Sequence, residues 1–153
     1  SIVWPTERRP HRAARFTTEA LIDAVIADVA GRVKVDRGRV FVFGWSSGGP
    51  ACYAAALRER SPVAGAFVAM SVFKPKGLPS LDRARGKAFY LLQSPDDRVT
   101  ALRWAVAAEK ALRKAGATVK LTKYAGGHGW RGDVWGMIRS GVEWLESNAG
   151  RGP

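Results

Sequence analysis

A chain of 153 residues with 46% hydrophobic and 25% charged side chains has the size and balance of one ordinary globular domain, able to bury a core of its own. One cysteine, Cys52, excludes an internal disulfide, and two histidines beside it leave too few ligands for a structural zinc site, so neither a metal nor another cofactor is expected. The net charge of +12, from 25 Lys and Arg against 13 acids, would attract anions of many kinds and names none of them.

At the N-terminus, Ser1 to Trp4 reads as the end of a strand. The basic run Arg8-Arg9-Pro10-His11-Arg12, continuing to Arg15, follows it without interleaved aromatics or a nucleic-acid-binding motif. It reads as a solvated loop, so no nucleic-acid partner is expected. From Thr17 the apolar positions Leu21, Ile22, Val25, Ile26 and Val29 recur at helical spacing, with Thr17 or Thr18 as cap and Gly31 as stop, which predicts an amphipathic helix. Arg39 to Phe43 is β-branched and aromatic, ends at Gly44, and predicts a buried central strand. After a loop from Gly44 to Gly49, Pro50 suits a first helical turn and the Ala-rich run Ala51 to Arg60 continues it. Ala64 to Met70 predicts the next strand. Ser71 to Gly86, with Pro75 and Pro79 and no periodicity, predicts a loop. Lys87 to Gln93 reads as a third strand, Ala101 to Ala115 as a helix closed by Gly116, Thr118 to Tyr124 as a fourth strand, and Asp133 to Ser147 as a last helix.

Strands alternating with helices imply parallel pairing with helices on both faces, an α/β doubly wound domain. No repeat, low-complexity tract or second-domain linker interrupts it. No apolar run approaches the roughly 18 residues that span a bilayer, and no signal-peptide stretch opens the chain, so it reads as soluble, with the cytoplasm favoured. Because it starts at Ser1 and not Met, it is expected to be a fragment or a processed product.

Three segments carry chemistry. Gly44-Trp45-Ser46-Ser47-Gly48 matches Gly-x-Ser-x-Gly between a predicted strand and a predicted helix, where a tight turn presents a serine hydroxyl above a sheet. Such a turn strains the backbone at Ser46 and sets the Ser47 amide at a helix N-terminus, beside the place where an oxyanion would develop. A phosphate loop would want Lys after the glycines, and Pro50 stands there. A serine needs a base, and His128 in Tyr124-Ala125-Gly126-Gly127-His128-Gly129-Trp130 lies just beyond the last strand, whereas His11 belongs to the basic loop. The third strand ends in Gln93-Ser94-Pro95-Asp96-Asp97, so either Asp96 or Asp97 could orient that histidine. Trp45, Trp130 and Trp135 would wall an apolar acyl pocket or pack the core.

The order Ser, Asp, His and these motifs resemble the α/β-hydrolase superfamily, more narrowly the small esterases of the phospholipase/carboxylesterase and dienelactone-hydrolase-like group, from about Phe16 to Leu145. The resemblance implies one α/β-hydrolase domain over residues 1–153. It selects Asp97, because Ser94-Pro95-Asp96-Asp97 fills a Gly-x-x-Asp-x-x-Val/Pro-like pattern with Ser for Gly. The implied chemistry is hydrolysis of a small-molecule carboxylic ester or thioester through an acyl-serine, with Ser46 as nucleophile, His128 as base and Asp97 as orienting acid. The rivals are an oligopeptidase-like serine peptidase and a non-catalytic binding protein on the same fold. The family's His-Gly-Gly-type turn, source of a second oxyanion donor, is missing, which predicts an N-terminally truncated domain with an exposed sheet edge. The loop Ser71 to Gly86 falls where related enzymes place substrate-contacting segments.

Overall fold

The computed structural model describes residues 4–150. In chain order the elements are α1 (Thr18–Ala30), β1 (Phe41–Trp45), α2 (Gly49–Leu57), β2 (Gly65–Ala69), β3 (Ala88–Gln93), α3 (Leu102–Lys114), β4 (Thr118–Lys123) and α4 (Val134–Asn148). The four strands form one parallel sheet in the order β1-β2-β3-β4.

Period-two alternation assigns the two faces. Ala66 and Val68 of β2 and Phe89 and Leu91 of β3 pack with α2 and α3, while Phe67, Ala69, Ala88, Tyr90 and Leu92 pack with Leu145 of α4. β2 and β3 are buried on both faces, so their sequences read as unbroken apolar runs. This is the doubly wound α/β arrangement expected from the alternation of elements. Register then places the chemistry: Trp45, Ala69, Leu92 and Thr122 stand side by side across the sheet. The residues that follow them therefore leave at a single carboxyl edge.

Several boundaries differ from expectation for local reasons. β1 runs to Trp45, through Gly44, because that glycine serves close packing and does not break the strand: a β-carbon there would stand 2.5 Å from Cys52 Sγ and 2.9 Å from the Gly48 backbone. α2 stops at Leu57, short of Arg60; Arg58 is extended, and Ser61 Oγ donates to the Ala55 carbonyl at 2.6 Å, closing the helix end early. β2 stops at Ala69 because Met70 takes a φ of 44°. The segment from Ser71 to Gly86 is a connection with two short 3-10 turns, Pro75–Gly77 and Leu81–Ala84. The strand end expected at Ser1 to Trp4 falls largely on residues 1–3, which lie outside the described residues, and Trp4 itself is in no strand.

α1 forms where its periodicity predicts, with Thr17 Oγ1 accepting from the Ala20 amide as cap. Its apolar stripe, however, is not covered: Leu21, Val25 and Val29 are 41–52% exposed, as are Phe43 and Trp45 of β1. Among the described residues β1 pairs only with β2, so its other edge is unpaired. The basic residues Arg8, Arg9, Arg12 and Arg15 are exposed. No described helix is long and apolar enough to cross a membrane.

Candidate active site

β1 hands over to α2 within a single 3-10 turn, Ser46–Gly48. Reversing direction in so few residues forces Ser46 to a φ of 50°, a left-handed conformation that costs a non-glycine residue about 1–2 kcal/mol. Two features hold it there. The Gly44 hydrogen lets Gly48 and Cys52 close in beneath the turn, and Ser71, 5% exposed at the end of β2, donates its hydroxyl to the Ser46 carbonyl at 2.6 Å. Sequence reading passed over Ser71. Its one available signal was its place just after a strand that pairs with β1.

The Ser46 hydroxyl lies 2.9 Å from His128 Nε2, and His128 Nδ1 lies 2.9 Å from Asp97 Oδ2. The carboxylate accepts only, so Nδ1 carries the proton and Nε2 presents its lone pair to the serine. Asp97 is 4% exposed, whereas Asp96 is exposed and makes no hydrogen bond to the imidazole. The structure thus brings together the serine, the histidine and the second of the two aspartates. His11 remains exposed, its Nδ1 facing the Ala13 amide at 3.3 Å.

Burial alone would push the Asp97 carboxyl up, but hydrogen bonds to the charged form outweigh it and hold the group down at about 2. Those donors are the Thr100 hydroxyl (2.6 Å), the Thr100 amide (2.7 Å), His128 Nδ1 (2.9 Å) and the Val99 amide (2.8 Å); Gln93 Nε2 also donates to Oδ2 at 3.0 Å. A turn of the form Asp-Arg-Val-Thr folds back on its own aspartate, so the local bonds are an Asx-type feature present in the sequence. Gln93 and Thr100 were not among the expected site residues.

The histidine loop is braced from below. The Tyr124 hydroxyl lies 2.5 Å from the Gly129 carbonyl and 3.2 Å from that of Gly127, the residues on either side of His128, and 2.6 Å from Met70 Sδ. Gly126 lies over the Tyr124 ring, where a β-carbon would stand 2.4 Å from Cε2, and the Gly127 amide donates to the fully buried Ser94 hydroxyl at 3.0 Å. Glycines in this loop serve the approach of Tyr124 as well as the turn.

Trp45 is stacked on the His128 ring, centroids 5.8 Å apart, and borders an apolar cavity of about 380 Å³ that also meets Leu21, Phe43, Gly48 and Cys52. Trp130 is half-buried, stacked on Phe43 at 5.9 Å and packed against the α4 core, and does not line that cavity; Trp135 is 76% exposed. The Ser47 amide follows Ser46 at the amino end of the turn that runs into α2. Burial pushes the Cys52 thiol up to about 12. Among the described residues no three His, Cys, Asp or Glu side chains gather to hold a metal ion. What the arrangement can do is relay a proton: from a hydroxyl to an imidazole whose orientation and charge are supported by a buried carboxylate.

No protein-family model matches this sequence, and no curated protein matches it. Solved structures do. Arabidopsis thaliana SOBER1 is 23% identical with a TM-score of 0.62, over 84% of this chain and 60% of its own. The Bacillus cereus carboxylesterase is 17% identical with a TM-score of 0.68, over 85% of this chain and 57% of its own. Porphyromonas gingivalis dipeptidyl peptidase 4 is 16% identical with a TM-score of 0.66, over 85% of this chain and 22% of its own. The fold is therefore of the α/β-hydrolase type. The chain spans about three-fifths of the length of the first two proteins it resembles.

Proposed function

We propose that this chain carries a serine-hydrolase site that cleaves a carboxylic ester or thioester through an acyl-serine intermediate. The supporting observation is the unbroken line Ser46 Oγ, His128, Asp97 Oδ2, with both contacts at 2.9 Å and each residue supplied by a different strand's carboxyl end. Ser46 attacks the acyl carbon while His128 Nε2 takes its proton. The carbonyl oxygen, now an oxyanion, is met by the Ser47 amide at the positive end of α2. His128 then protonates the leaving alcohol or thiol, and water, deprotonated by the same nitrogen, releases the acid. Asp97 holds the imidazole in the tautomer that leaves Nε2 free. Trp45, stacked on the imidazole, is the side chain this reading sets beside the acyl group, with Trp130 backing Phe43.

Ser47 is the one oxyanion donor this reading assigns. Since removing a single donor costs about 100- to 1000-fold in rate, turnover by residues 1–153 alone is expected to be slow. Substituting Ser46→Ala should abolish hydrolysis of a short-chain nitrophenyl ester and labelling by a fluorophosphonate; retained turnover would refute the assignment. A folded wild-type chain that resists labelling would favour a binding protein on a hydrolase fold. Amide cleavage is a second reading, prompted by the likeness to a dipeptidyl peptidase. A matched ester and anilide of one acyl group separate the two: comparable kcat/KM on both would favour the peptidase.

A further inference from the structure

Thr100 meets both partners of the charged pair. Its Oγ1 lies 2.6 Å from Asp97 Oδ2 and 3.3 Å from His128 Nδ1. A hydroxyl has one proton, and the carboxylate, with no proton of its own, takes it. What Thr100 turns toward Nδ1 is therefore a lone pair. The Nδ1 proton, whose nitrogen lies 2.9 Å from Oδ2, thus has a second acceptor 3.3 Å from that nitrogen.

Gln93 fixes this triangle from beneath. It is 1% exposed, at the last position of β3, and its carboxamide nitrogen faces Asp97 Oδ2 at 3.0 Å and the Thr100 carbonyl at 2.7 Å. Two acceptors facing one nitrogen settle which end of the amide is which, and both N–H groups are used. Thr100 is thereby held at its amide, its hydroxyl and its carbonyl, with 6% of its surface exposed. Oδ2 receives three donors and Oδ1 two, more than the roughly four lone-pair directions a carboxylate offers. The donors on Oδ2 must compete.

We infer that Thr100 is a positioning residue, supported by Gln93, that limits how much of the Nδ1 proton Asp97 takes and so holds the imidazole plane aimed at Ser46. The inference rests on reading Ser46, His128 and Asp97 as a working site. Its content is distinct: a hydroxyl at the position where the family pattern has Val or Pro shares the histidine's proton with the carboxylate. A methyl group there would fill the same space without either bond.

The test uses Thr100→Val, which keeps shape, Thr100→Ser, which keeps the hydroxyl, and Gln93→Met, which removes the buried donor. The first readout is the proton resonance of His128 Nδ1–H, assigned by its absence in His128→Gln. It needs no substrate and stands even where Ser46→Ala shows the hydrolase reading to be wrong. Thr100→Val should move that resonance downfield, as Asp97 takes the whole proton, and Gln93→Met should move it the same way by less. Thr100→Ser should restore the wild-type position. The second readout is turnover of the nitrophenyl ester: Thr100→Val should lower kcat about tenfold with KM within about twofold, and Thr100→Ser should recover it. An unmoved resonance in both Thr100→Val and Gln93→Met overturns the inference, as does equal loss in the Ser and Val variants, which would reduce Thr100 to loop packing. Should Thr100→Val fail to fold, Gln93→Met and Thr100→Ser decide by the same resonance.

Discussion

Replacing Asp97 by Asn tests the electrostatics of the site through stability alone. In the folded chain the carboxyl is held at about 2 against an ordinary value of 3.8, burial being outweighed by the donors from Thr100, His128 and Val99. Because the folded value is depressed, the group's contribution is fully present above pH 4 or so and is lost as pH falls through 2. Linkage between 3.8 and 2 gives about 2.4 kcal/mol at pH 5 and about 1.3 kcal/mol at pH 3. Asp97→Asn removes the charge and turns an amide N–H toward groups that donate to the carboxylate, the Thr100 hydroxyl and Gln93 Nε2 or the backbone amides. The variant should therefore be less stable by about 2–3 kcal/mol at pH 5–7, with the gap to wild type narrowing by roughly 1 kcal/mol at pH 3. Urea unfolding followed by circular dichroism at pH 6, 5, 4 and 3 measures both. A difference that is small at pH 6, or constant down to pH 3, would show that the donors around Asp97 do not stabilise its charge.

Tyr124→Phe deletes the hydroxyl under the Gly127 and Gly129 carbonyls; stability should fall by about 1 kcal/mol and kcat about tenfold with KM unchanged, measured by thermal unfolding and ester kinetics. Gly44→Ala drives a methyl into Cys52 Sγ and the Gly48 backbone, so the chain should lose about 3 kcal/mol or fail to fold, and an alanine variant of wild-type stability would disprove the close approach. Cys52, 6% exposed and with its thiol pushed up to about 12, should stay unreacted with a disulfide reagent at pH 8 until denaturant is added.

Local chemistry makes much of this legible in the sequence alone. Apolar runs against 3.6-residue periodicity separated β2 and β3 from α3, and the glycines around Ser46 and before His128 marked turns at strand ends, because such signals encode the backbone's own dihedral preferences. The same locality explains what was missed at Gly44 and Arg58. A glycine that ends a strand and one that lets a helix approach read alike in sequence, and a helix end closed by Ser61 six residues downstream of Ala55 has no periodic signature. The exposed stripe on α1 is a further case: periodicity says which residues share a face and nothing about what lies opposite.

By itself, then, the sequence determined an α/β chain with a serine turn, a carboxylate turn and a histidine loop each following a strand. The choice of Asp97 over Asp96 came from the resemblance and agrees with its burial, but only the tertiary structure decided that Ser71 ties down the strained Ser46, that Gln93 and Thr100 hydrogen-bond Asp97, and that Tyr124 holds the loop around His128. The reason is separation along the chain. Ser46 and His128 stand 82 residues apart and Asp97 and His128 stand 31 apart, and they meet because parallel register aligns Trp45, Leu92 and Thr122 along one edge. Residues that act through such contacts acquire their partners when the sheet assembles, and leave no pattern in the chain beforehand.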